Sequence, residues 1–207
     1  MIGIALGDGA WLSVDVSPLD RQESAAELPL LNLGSSLGAV VVVQRGYVRE
    51  GEVLRIACVR APSDRWAPGV EGLVLDRATA LAKRTMVAID EWSASTITPV
   101  EDRFEQTLVG RGEQKHAAIR HVLGFVGQDH AALLCTTTCS SPKKASCIGR
   151  VEQTRALGAF VEPPPVHLWV QSILLVANRP YEMAVIGAFL TMMLVGLILW
   201  RRPRPRQ

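Results

Sequence analysis

One stretch near the C-terminus restricts this chain more than any other: Met183 to Trp200, MAVIGAFLTMMLVGLILW, eighteen residues without a charge. At 1.5 Å per residue a helix of that length covers roughly 27 Å, about the hydrocarbon thickness of a bilayer. Its one polar side chain, Thr191, can return its hydroxyl to the helix backbone. Tyr181 and Trp200 fall at the two ends, where amphipathic rings favour the interfaces. A buried core helix is seldom uncharged over five turns and then followed by RRPRPRQ. The run predicts one transmembrane helix over 183–200 and a basic tail over 201–207.

The preceding segment, 163–182, reads as a Pro-rich linker. Within it Val166 to Ala177 (VHLWVQSILLVA) is apolar but too short to span, and suits either an interfacial helix or a final strand. Membrane lipid is therefore an expected partner. The arginines after the span, against Arg179 alone just before it, favour a cytoplasmic C-terminus and an exported domain. No basic leader precedes MIGIALGDGAWLSVD, so a tail-anchored, single-pass protein with a cytosolic domain is the placement expected here.

Residues 1–162 have the size of one ordinary domain with one core. The net charge of +2 includes Arg201, Arg202, Arg204 and Arg206 in the tail, so the folded part is close to neutral. That excludes the concentrated basic face a nucleic-acid binder needs.

Runs of β-branched residues predict strands at Trp11–Val16, Ala39–Gln44 and Val53–Val59. Gly46 and Gly51 suit a hairpin between the last two, and 17–38 reads as a loop. Val70, Leu73, Val74, Ala78, Leu81 and Ala82 recur at helical spacing, with Glu71 in the first turn and Lys83 and Arg84 in the last. Three further strands follow at Glu101–Arg111, Lys115–Val126 and Ala131–Thr138, joined by short turns as an antiparallel meander. A last helix is expected from about Ser146, as cap, to Leu157, ended by Gly158.

This order of strands, helix, strands and helix, with the meander from Glu101 to Thr138 and a helix after a cysteine-bearing turn, resembles the PsbP-like α/β/α sandwich of DcrB-type proteins. The resemblance spans roughly Gly9 to Phe160. It implies an α+β fold, an antiparallel sheet flanked by helices, and a non-catalytic domain that binds another protein or stabilises an assembly. It carries no functional residue with it.

The candidate chemistry centres on Cys135, Cys139 and Cys147. Either of the first two could bridge to Cys147 and tie SSPKKAS to the helix, if the domain faces an oxidising compartment. His130 could complete a zinc set with them, although neither a CxxC knuckle nor paired histidines are present. His116 and His121 sit five apart in one strand, hence on opposite faces. Glu101, Arg103 and Glu105 alternate on one face and read as a solvated ladder. GDG at 7–9 and GRGEQK at 110–115 lack the context of a phosphate loop, so no nucleotide is expected. Trp66, with Arg65 in a Pro-containing loop, is a candidate partner contact.

No catalytic constellation emerges, and neither a cofactor nor a metal is expected. The leading expectation is a membrane-tethered, non-enzymatic interaction or assembly module with a protein partner or membrane complex. The alternative is a thiol-redox or zinc-dependent accessory protein acting through Cys135, Cys139 and Cys147.

Overall fold

A computed structural model of the chain describes residues 1–17, 19–22, 39–62, 70–86, 88–100, 102–163 and 192–193. The chain divides into two compact units, Met1–Pro165 and Val166–Gln207. Among the described residues no helix is long and apolar enough to cross a membrane. The run 183–200 lies outside them apart from Met192 and Met193, which are helical. The segment 166–177 and the candidates Arg65 and Trp66 also lie outside.

The first unit is α+β, a mostly antiparallel structure with two described helices. It opens with a hairpin, β1 (Ile2–Gly7) and β2 (Ala10–Val14), turned by Asp8 and Gly9, both at positive φ (49° and 78°). Asp-Gly is the sequence signal for a two-residue turn whose twist matches the strands it joins. A short strand, β3 (Asp20–Gln22), occupies part of what reads as loop. The hairpin β4 (Val40–Arg49) and β5 (Glu52–Ala61) turns at Glu50–Gly51, again with φ positive at both. Gly46 does not belong to this turn but lies inside β4, opposite Arg55.

Helix α1 (Glu71–Arg84) follows and buries Val74, Leu75, Ala78, Leu81 and Ala82. Each large apolar side chain fully buried contributes about 2 kcal/mol. Leu73, on the expected apolar stripe, is instead more than half exposed. Short strands β6 (Glu91–Trp92) and β7 (Thr96–Val100) both pair with β8 (Arg103–Arg111), which leads through β9 (His116–Val126) to β10 (Ala131–Ser141). Helix α2 (Lys144–Gln153) is shorter than expected: Arg155–Leu157 is strand β11, and β12 is Phe160–Val161. Ser146 does not cap this helix but lies within it, Lys143 being the capping position.

The large sheet runs β3-β4-β5-β10-β9-β8-β6, with β7 on β8 and β12 on β9; β1, β2 and β11 form a small second sheet. Alternation along the strands gives the large sheet two apolar faces. One carries Ala57, Val59, Leu123 and Leu134 against α1. The other carries Leu54, Ile56, Ala118, Val122 and Leu133 together with Leu12 and Val14 of the small sheet and Val151 of α2. Burial on both faces explains why β9 and β10 read as continuous apolar runs.

Candidate functional site

Strand register decides where the cysteines meet. Antiparallel pairing places Cys58 of β5 directly opposite Cys135 of β10, with Cα atoms 4.1 Å apart, and their sulfurs are bonded. Four residues on and on the same face, Cys139 lies near the end of β10 and is bonded to Cys147 of α2. No cysteine is free. Three of these side chains are wholly buried and Cys135 nearly so.

His130 sits at the other end of β10, in the tight turn after Gly127 with φ 50°. Its Nδ1 donates to the carbonyl of Glu162 at 2.9 Å. Nine residues of strand separate it from Cys139, about 30 Å. The histidine and the three cysteines therefore do not form a cluster, and none of those sulfurs is a thiolate in this fold. Among the described residues no group of three His, Cys, Asp or Glu side chains could hold a metal ion.

A polar seam crosses the sheet under α1. His121 is fully buried, and its Nδ1 is 2.7 Å from the Thr136 hydroxyl on β10. Beside it Thr79 of α1 donates to Gln106 at 3.1 Å, and the Gln106 amide reaches Ser95. His121 Nε2 and Arg55 Nε are buried with no hydrogen-bond partner among the described residues. Burial without a compensating charge pushes His121 down from its ordinary value of 6.5 to about 3.

The opposite face of β8 and β9 carries a charged ladder. Glu105 accepts from Arg103 at 2.9 Å on its own strand and from Arg120 at 2.6 Å across the sheet. These side chains are only 11–20% exposed, so the ladder is half-sunk rather than solvated. Burial lowers Arg120 from the usual guanidinium value, against the pull of Glu105. Near the other end of the sheet Arg150 of α2 pairs with Glu52 and donates to the carbonyls of Asp15 and Ser17; Ser146 donates to the same Glu52 carboxylate. Arg60 bridges Asp8 and Asp129, tying together the turns of the two sheets.

Among the described residues a cleft of about 470 Å³ opens between α2 and the β6–β8 edge. Trp92, Val109 and Ile148 supply its apolar part, and Arg111, His116 and Lys144 stand around it with Glu91. Volumes of this size accommodate a few side chains or a small molecule. The cleft draws on segments distant in sequence, and no spacing rule along the chain signals it.

No family model and no curated protein matches the chain. Among solved structures it is similar to a thioesterase family protein from Silicibacter pomeroyi, at 19% identity over 52% of this chain and 87% of the other, with a TM-score of 0.23. So low a score carries no argument about fold or activity.

Proposed function

We propose that the chain is a membrane-tethered, non-enzymatic interaction or assembly module, a PsbP-like α/β/α domain held by a C-terminal helix over 183–200. The observation that carries this reading is the pairing of all four cysteines in two buried disulfides. Bonded sulfurs do not ligate zinc, and burial puts both bonds out of reach of an attacking thiol, which counts against the thiol-redox alternative. The pairing also favours the oxidising side of the membrane, where such bonds persist. This reading prefers the exported domain to the cytosolic placement expected from the sequence, in line with the arginine-rich tail facing the cytoplasm.

The partner of this reading is a protein segment carrying both carboxylates and apolar side chains, received in the cleft between Arg111, Lys144 and the Trp92–Ile148 floor. Charge complementarity at the rim of such a cleft sets specificity and association rate.

Two experiments test it. In sealed cells an added protease removes the domain from outside; protection of the domain until the membrane is broken overturns the placement. Isolated in mild detergent, the chain brings a stoichiometric partner that Arg111→Glu with Lys144→Glu releases, while the variant stays in the membrane with unchanged circular dichroism. Retention of the partner by that variant overturns the cleft as its site.

A further inference from the structure

His116 opens β9 at the cleft beside α2, on the strand face that also carries Ala118 and Arg120. Strand register sets it directly opposite Arg111 of β8 on one side and the uncharged Ser141 of β10 on the other. From the start of α2 come Lys144, which lines the same opening, and Lys143 beside it. Glu91 lines the cleft from the sheet edge. Next to it, the N–H of Asp90 reaches the Arg111 carbonyl, and Glu113 and Lys115 stand in the connection that leads into His116. Elsewhere in the unit Arg60, Arg103, Arg120 and Arg150 each hold a carboxylate. Among the described residues the side chains of Arg111, His116 and Lys144 hold none. With Glu91 set against them, the lining carries an excess of one positive charge when the imidazole is neutral and of two when it is protonated.

We propose that the cleft takes up a proton on His116 together with its acidic partner segment, so that docking tightens as the surroundings acidify. This deepens the cleft reading above and rests on it. Arginine and lysine keep their charge between about pH 7.5 and 5.5, and carboxylates keep theirs; an imidazole is the side chain that changes over that interval. A carboxylate seated between Arg111 and Lys144 is drawn to the imidazolium as well, and accepts a charge-assisted hydrogen bond from it. Linkage makes the effect reciprocal, since a ligand that favours the protonated cleft is itself favoured by protonation. The half-buried Val109 and Ile148 strengthen the exchange, because charges set against apolar surface are less screened by water. On the exported side, where pH follows the surroundings, the cleft holds its partner more firmly in acid.

The test uses the full chain in mild detergent and a rhodamine-labelled peptide of alternating aspartate and leucine, with binding read by fluorescence anisotropy. The wild type binds about fivefold more tightly at about pH 5.5 than at about pH 7.5. His116→Gln binds equally at the two, and His116→Arg, cationic throughout, binds at the higher pH as the wild type does at the lower. Acid destabilisation through the buried His121 weakens binding, the opposite sense, and so does not imitate the result. If Arg111→Glu with Lys144→Glu releases the peptide while the wild-type affinity is the same at both pH values, the proton uptake fails and the cleft reading stands. A pH dependence that survives in His116→Gln overturns the assignment to His116. Peptide that the wild type does not bind at either pH, or that the double variant binds unchanged, overturns the cleft reading and this proposal with it.

Discussion

Cys58 and Cys135 are nearest neighbours on adjacent antiparallel strands, joined at the centre of the large sheet by a bond that spans 77 residues of sequence. The second bond, Cys139–Cys147, spans only 8. If each acts by restricting the unfolded chain, the long loop contributes about 4.5 kcal/mol and the short one about 2.5 kcal/mol. Denaturation of the full chain in mild detergent should therefore show Cys58→Ala with Cys135→Ala as the more damaging pair. Equal losses would show that restriction of the unfolded chain is not the main effect.

His121 makes the fold acid-sensitive. Its pKa is about 3 when folded against an ordinary 6.5, so between those values the unfolded chain holds a proton that the folded chain lacks. Stability from this group is complete above about pH 6.5 and is lost as pH falls through that window, by about 2 kcal/mol at pH 5. His121→Leu combined with Thr136→Val removes both partners of the buried contact. Its stability should change less than that of the wild type between pH 6.5 and 5, measured by urea midpoints.

Glu52 neutralises a cation in a crowded place. Arg150 is 9% exposed, and besides Glu52 it has the Asp15 carboxylate at 3.7 Å and the Asp15 and Ser17 carbonyls. Glu52→Ala leaves only the more distant Asp15 carboxylate against that charge and should cost about 2 kcal/mol. Ser146→Ala removes one hydrogen bond to the same carboxylate and should cost about 1 kcal/mol. Thermal unfolding of the two variants separates these outcomes.

Gly158 lies between β11 and β12 with φ 114°, and a Cβ there would stand 2.1 Å from the Gly9 carbonyl oxygen. Gly158→Ala meets both a backbone clash and a disfavoured conformation, and should lower stability by about 3 kcal/mol. Gly124 has room problems of another kind: a Cβ would meet the Phe160 ring at 2.5 Å. Phe160 is a side chain that can turn aside, so Gly124→Ala should cost less, about 1 kcal/mol. Comparable losses in the two would show that Phe160 is held as rigidly as backbone.

Much of the α+β framework was legible because the period of apolar residues changes with the element. Helix α1 was visible in Val74, Ala78 and Leu81, and the meander in the alternation of Ala117, Ile119, Leu123 and Phe125. Strand β1 was missed because IGIALG mixes glycine and alanine with its apolar residues, and the Asp8–Gly9 signal was weighed only as a phosphate loop. The last helix was extended over Arg155–Leu157 because three residues cannot establish a period; pairing with β2 makes them strand. Cys139 and Cys147 were within reach of each other by spacing alone. Cys58 and Cys135 were not, since their meeting depends on the register between β5 and β10. The buried His121 contact and the cleft by Trp92 are likewise products of tertiary placement.

The two disulfides enclose separate stretches of chain, one after the other in sequence. Under tension applied between Met1 and Pro165, neither enclosed stretch can pay out. About 300 Å of contour is withheld from extension in this way. Pulled in an optical trap, the oxidised domain would yield a short tether and the reduced one a tether longer by that amount. A domain built like this limits how far a force on its two ends can stretch it.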